Sequence, residues 1–143
     1  MVIVRKRKGN RSRGVAAVEA ALVLPILLLV SFGAIKYGWL FLRAQQITNA
    51  ARYGARVAVR ADASETDVTT AITNLMTAAG MLDSGYSVTI TLEDGIPWEE
   101  LEMGKAITVA VSVPSANIDI MNVLLFPSVG NIGASVTMAK EGF

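Results

Sequence analysis

An apolar run from Val15 to Ile35 constrains this chain more than any other feature of its sequence. The run is twenty-one residues long and contains a single charged residue, Glu19. At a rise of 1.5 Å per residue, a helix of this length spans roughly 30 Å, the thickness of the hydrocarbon core of a bilayer. The apolar core of a cleaved secretory signal is shorter, about 7–15 residues. The run therefore predicts a transmembrane helix rather than a signal peptide or the core helix of a soluble protein.

Charge is distributed unevenly on the two sides of this run. Six of the first fourteen residues are Arg or Lys and none is acidic, whereas residues 61–143 carry eleven acidic residues against two lysines. Because basic segments are retained in the cytoplasm, we expect a cytoplasmic N-terminus and an extracytoplasmic C-terminal part, with one span in the cytoplasmic (inner) membrane. Tyr37 and Trp39 directly follow the run and suit anchors at the membrane interface.

The chain contains no Cys and no His. It therefore has no disulfide, no thiolate nucleophile, no imidazole base and no metal site built from Cys or His. The remaining acid–base groups are carboxylates, and none lies at a paired spacing on a recognisable scaffold. We expect neither an enzyme nor a bound cofactor.

Two residues inside the apolar run are unusual. Glu19 puts a carboxylate at membrane depth, which costs about 2.5–3.5 kcal/mol at the centre of a span and less near its end, so it needs a cationic partner. Pro25 removes one helix hydrogen bond and predicts a kink or a local loss of helix. Membrane helices tolerate Pro, so Pro25 alone indicates little.

The sequence around Glu19 resembles a known processing signal. The string RGVAAVE at 13–19, followed by AALVLPILLLV, resembles the N-terminal signal of the type IV pilin superfamily. It is most similar to the start of TadE-like proteins, which are minor pilins (pseudopilins) of tight-adherence (Tad, Flp-type) pilus systems. The string AQQITNAARYGAR at 44–56 is similar to the segment that follows the span in that family. Looser similarities lie at Ile107–Pro114 and Gly133–Glu141.

The resemblance implies that a prepilin peptidase cuts between Gly14 and Val15. It implies that Glu19 acts in peptidase recognition and in assembly, where it pairs with the new α-amine of a neighbouring subunit. The partners it implies are the peptidase, other pilin subunits, the pilus assembly machinery and membrane lipid. Major Flp pilins, and often TadE-like proteins too, have an aromatic residue where this chain has Ala20, and major Flp pilins are also much shorter. A minor pilin of an adhesive pilus therefore fits better than a major one.

From Lys36 to about Ala61 the apolar pattern continues with helical spacing. One face carries a row of small residues that allows close packing, either on another subunit's helix or on the protein's own sheet: Ala50, Gly54 and Ala58. Another face carries an arginine at every fourth position: Arg52, Arg56 and Arg60. Like charges at this spacing repel, so we expect the arginines to face lipid headgroups, the acidic part of this chain or that of another subunit. We expect no nucleic-acid partner, because the acidic C-terminal part is predicted to lie outside the cytoplasm.

Residues 62–143 predict a small α+β body. Ser64 and Asp67 have the spacing of a capping box at the start of a second helix, and Gly80 suits its end. Three segments with apolar residues at every second position predict an antiparallel sheet packed on the helices: Tyr86–Leu92, Ile107–Val113 and about Ile132–Ala139. Asp94-Gly95 predicts a turn between the first two strands.

We therefore expect a pilin-like organisation in four parts: a basic cytoplasmic leader (1–14), a transmembrane helix (15–35), a stem helix (36–61) and an extracytoplasmic α+β body (62–143). Two other functions fit the same pattern. The chain could be a pseudopilin of a type II secretion or competence system, or an unprocessed, membrane-tethered binding or sensory domain.

Two segments of the body have alternative interpretations. Five acidic residues between the first two strands suit either a solvated loop or, less well, a calcium site: Glu93, Asp94, Glu99, Glu100 and Glu102. The apolar run Ile118–Phe126 suits either a segment that covers the sheet or a contact patch for another pilin-like subunit.

Overall fold

The computed structural model describes residues 11–120 and 130–142. The chain divides into two compact units, Met1–Ile35 and Lys36–Phe143. Its elements in chain order are α1 (Arg11–Ala58), α2 (Glu65–Ala78), β1 (Ser87–Leu92), β2 (Ala106–Pro114), α3 (Ser115–Ile118) and β3 (Asn131–Ala139). The predicted α+β class is confirmed, with a long apolar N-terminal helix, a further helix and a three-stranded antiparallel sheet.

In the first unit, α1 continues without interruption through Pro25, so the predicted local loss of helix is not found. Nearly all side chains between Val15 and Ile35 are exposed, and the most apolar part of the helix contains no buried residue. The hydroxyl of Ser31 donates a hydrogen bond of 2.8 Å to the carbonyl of Leu27, so this polar group is satisfied within the helix. By length and composition, this helix can cross a membrane.

In the second unit, α1 ends at Ala58, three residues before the predicted end of the stem. Helix α2 begins at the predicted capping box. The amide of Asp67 donates to the Ser64 hydroxyl (3.2 Å), and the amide of Ser64 donates to the Asp67 carboxylate (2.9 Å). The helix ends before Gly80, whose φ of +65° is the left-handed conformation that stops a helix.

The sheet has the order β1-β2-β3, and both pairs are antiparallel. Every second residue of the central strand is fully buried, as the alternation predicts: Ile107, Val109, Val111 and Val113. The opposite face of the sheet carries Ser, Thr, Ala and Gly, and the cross-strand pairs Ser87–Ser112 and Thr108–Thr137 are hydrogen bonded on it (3.0 and 2.8 Å). The short helix α3 is an element that the sequence pattern did not predict.

The core of the second unit lies between the buried face of the sheet and the two helices. From α2 it takes Val68, Ile72 and Met76, which are completely buried. Two hydrogen bonds between residues far apart in the sequence also join segments of this unit. The Trp98 indole donates to the Ala63 carbonyl (2.7 Å), and the Glu141 amide donates to the Val59 carbonyl (2.8 Å).

Candidate assembly surface

The residues of the predicted processing site lie together on the surface of α1. Gly14, Val15 and Glu19 are exposed, and with Val18 and Leu22 they line one shallow depression. Apart from its chain neighbours and the backbone of its own helix, no atom of the described residues lies within 4 Å of the position that a Cβ on Gly14 would occupy. The backbone at Gly14 is helical in the structure, so cleavage there requires α1 to open locally. The low helix propensity of glycine reduces the cost of this opening by about 1 kcal/mol relative to alanine.

The row of small residues on the stem is buried within the second unit. Ala50 and Ala58 are 1% and 0% exposed, and Gly54 is also buried. A Cβ on Gly54 would lie 2.7 Å from Cγ1 and Cδ1 of Ile72 and 3.4 Å from Cγ1 of Val109. Here the small side chains let α1 pack closely on α2 and β2 of the same chain.

The other side of the stem is exposed and carries the arginines. Arg52 and Arg56 are exposed, and neither makes an ion pair with any residue that the structure describes. Arg60 makes only a long, exposed pair with Asp62 at 3.4 Å, which contributes little stability. Within the described ranges, therefore, the acidic body does not neutralise Arg52 and Arg56.

At the start of the second unit, three side chains of α1 bond to residues at the C-terminal ends of α2 and α3. Nζ of Lys36 lies 2.7 Å from Oδ2 of Asp119, and the two side chains are 0% and 4% exposed. The indole of Trp39 donates a hydrogen bond of 2.8 Å to the Ile118 carbonyl. Arg43 donates to the Ala79 carbonyl.

The guanidinium of Arg43 also lies 4.4 Å from the centre of the Trp39 ring, within the range of a cation–π interaction. We call these six residues the junction cluster: Lys36, Trp39, Arg43, Ala79, Ile118 and Asp119. Removing one partner of a buried ion pair generally destabilises a fold, because the other charge stays in a poorly hydrated site.

Sequence reasoning missed the junction cluster. The indole N–H of Trp39 is bonded within the body and Tyr37 is half exposed, and the role of both as interface anchors stays a prediction. The one feature of the sequence that could have indicated this cluster is Lys36. It follows the apolar run on the side that the charge bias predicts to be outside, where a lysine is disfavoured without a partner.

The acidic segment between β1 and β2 forms a turn held by a lysine. Lys105 lies 2.9 Å from Asp94 and 3.6 Å from Glu93, and the hydrogen bond to Asp94 is the main cause that raises the pKa of Lys105. Glu93 also accepts a hydrogen bond from the Ala106 amide. In the described residues no cluster of three or more acidic side chains could hold a metal ion. The apolar run Ile118–Phe126 was the second segment with two interpretations, and its residues 121–126 lie outside the described residues.

In the part of the chain that the structure describes, one helix can span a membrane, and the residues after it form a small α+β body. The family model for TadE-like proteins matches residues 14–56, which confirms the resemblance seen in the sequence. The matched range begins at the predicted processing site and ends within the stem, before α2. Neither the curated proteins nor the solved structures include a significant match to the chain.

Proposed function

We propose that the chain is a minor pilin (pseudopilin) that takes part in the assembly of an adhesive Tad (Flp-type) pilus. The observation that carries this proposal is the TadE-like family match over 14–56, which itself supports a Tad-pilus-associated protein. The match coincides with an apolar helix whose side chains are exposed and available to lipid or to other helices.

Processing by a prepilin peptidase after Gly14 is the first step of the proposal. The bond to Val15 is exposed, and among the described residues no side chain beyond the chain neighbours lies over the glycine. An approaching protease therefore meets little steric hindrance, and only the N-terminal end of α1 must unwind. Cleavage removes the basic leader 1–14 and leaves a free α-amino group on Val15.

Lateral packing of membrane helices is the second step. Once the leader is removed, Glu19 is the fifth residue of the mature chain and lies about 6 Å along the helix from the new amine. A carboxylate and an ammonium on adjacent subunits neutralise each other where each alone is costly to bury. This pairing sets a stagger between neighbouring helices, because Glu19 of one subunit must reach Val15 of the next.

The exposed arginines of the stem supply a contact outside the membrane. Arg52 and Arg56 have no ion-pair partner in the described part of their own chain, whereas Glu99, Glu100 and Glu102 are exposed on the segment between β1 and β2. An acidic surface on another subunit or on the assembly machinery is therefore the complementary partner. The basic leader favours insertion with the N-terminus in the cytoplasm and the body outside the inner membrane.

The N-terminus of the mature protein tests this proposal. We expect the intact mass of protein extracted from membranes to correspond to a chain that starts at Val15 when an active prepilin peptidase is present. Full-length protein should accumulate in a peptidase-deficient strain, and the variant Gly14→Leu should stay uncleaved in the active strain. An intact N-terminus in the active strain would contradict the proposal and favour a membrane-tethered domain. Processed protein that co-purifies with a secretion apparatus instead of pili would favour the type II secretion alternative.

A further inference from the structure

Exposed apolar side chains of the second unit are concentrated around the junction cluster. Seven large apolar side chains are exposed among the described residues from Lys36 onward, and five of them lie close to that cluster in the chain: Tyr37, Phe41, Leu42, Leu82 and Ile120. The other two, Tyr53 and Met103, lie elsewhere in the unit. Single exposed apolar residues are common on the surfaces of soluble proteins. Several exposed apolar side chains near one another indicate a contact surface.

Leu82 and Ile120 lie on two loops that are fastened to each other. The side chain of Asn117 donates a hydrogen bond of 2.9 Å to the carbonyl of Ser84, and the Ser84 hydroxyl donates to the Met81 carbonyl at 2.7 Å. This arrangement holds the loop 81–84 beside residues 117–120, which are the end of α3 and the two residues after it; we call both segments loops. Leu82 and Ile120 are each 48% exposed, and both line the same depression of the body.

The same loops are fixed to the residues that follow the predicted span. Lys36 is the first residue after Ile35, and its partner Asp119 is the direct neighbour of Ile120. Arg43 bonds the carbonyl of Ala79, three residues before Leu82. A span that ends at Ile35 would put Lys36, and with it Asp119, in the headgroup region, which is about 5–8 Å deep on each side of the hydrocarbon core.

We propose that the loops 81–84 and 117–120 dip into the lipid interface, so that Leu82 and Ile120 are membrane contacts of the body. The occupant is the bilayer itself, because the loops are continuous in the chain with the predicted end of the span. The buried pair of Lys36 with Asp119 favours this contact, and the exposed carboxylate of Asp83, next to Leu82, then has to stay on the aqueous side of the interface. The pair neutralises two charges that would otherwise hold the loops away from the apolar side of the interface. This inference rests on the predicted span and not on the assembly of pili.

Site-directed spin labelling of the full-length chain in phospholipid nanodiscs tests the inference. The chain has no native cysteine, so each introduced cysteine carries the only label. Leu82→Cys and Ile120→Cys report the proposed contacts. Met103→Cys is the matched control, since Met103 is an exposed apolar side chain (70%) that lies away from the junction cluster. Leu28→Cys reports the predicted span.

Molecular oxygen concentrates in lipid and a neutral nickel chelate in water, so the ratio of their collision rates with the label reports depth. We expect this ratio to be higher at positions 82 and 120 than at 103, and highest at 28. A lipid-like ratio at 28 with water-like ratios at 82 and 120 would overturn the inference and leave the span intact. Labels at 82 and 120 that neither reagent reaches would overturn it as well, because protein and not lipid would then cover the loops. A water-like ratio at 28 would overturn both the inference and the predicted span.

Discussion

Gly54 and Gly38 lie on the same helix but in opposite surroundings. A Cβ on Gly54 would come within 2.7 Å of the buried side chain of Ile72, whereas a Cβ on Gly38 would meet no described atom within 4 Å beyond its chain neighbours and its own helix backbone. Both glycines cost the helix about 1 kcal/mol relative to alanine. Only at Gly54 does the missing side chain serve packing, since it lets α1 approach α2 and β2 closely.

Substituting each glycine by alanine separates these effects. We expect Gly54→Ala to lower the free energy of unfolding, because overpacking costs about 1–3 kcal/mol and exceeds the gain in helix propensity. Gly38→Ala, the matched control, should raise it by up to about 1 kcal/mol. Chemical unfolding of the full chain in detergent, followed by tryptophan fluorescence, measures both. Equal stabilisation by the two substitutions would show that Ile72 moves aside without cost.

Several elements of the body could be predicted from residues that are close together in the sequence. The capping box at Ser64 and Asp67 begins α2, and the alternation around Val109 marks the central strand with its buried face. These signals need only residues close in the chain. The junction cluster depends instead on contacts such as that of Trp39 with Ile118, which are 79 positions apart. Periodicity identifies which face of a helix is buried but not which loop covers it, so the bonds of Lys36, Trp39 and Arg43 could not be predicted.

The capping box also gives α2 a defined dependence on pH. Hydrogen bonds from the Ser64 hydroxyl and amide lower the pKa of Asp67 from its usual 3.8. Because the folded pKa lies below the unfolded one, the stabilisation is fully present above pH 3.8 and is lost as the pH falls through the folded pKa. We expect Asp67→Asn to be less stable than the wild type at pH 7, and the difference to shrink below pH 3.8.

Denaturant unfolding of both proteins at neutral and acidic pH measures this difference. Asp62→Asn is a suitable control, because it removes a carboxylate from the same turn but no capping hydrogen bond, so it should destabilise less at neutral pH. Ser64→Ala, which removes the other half of the box, should cost about 0.5–2 kcal/mol. If the difference in the free energy of unfolding between the wild type and Asp67→Asn stays constant below pH 3.8, the role assigned to the carboxylate is wrong.

At the scale of the whole molecule, the small net charge of +1 conceals basic, apolar and acidic segments that follow one another along the chain. The exposed apolar helix suits lipid or neighbouring helices, and the arginine face and the acidic turn of the body are separate charged surfaces. In the proposed function, cleavage after Gly14 is done by another protein's active site, so it requires no His or Cys of this chain. In this proposal Glu19 is the one charge inside the span, so it determines whether subunits associate within the membrane.

Replacing Glu19 by alanine tests that role. A subunit without this carboxylate leaves a neighbour's α-amine uncompensated, and loss of one partner of a buried pair costs about 3–5 kcal/mol. Since each 1.4 kcal/mol is a factor of ten, association should weaken by about two orders of magnitude or more. The measurement is the amount of processed protein that co-purifies with pilus subunits, with intact mass confirming cleavage after Gly14. Val18→Ala removes an exposed side chain from the same helical turn without a change in charge, so it should assemble normally. Normal assembly of processed Glu19→Ala protein would show that the carboxylate does not pair with the neighbouring amine.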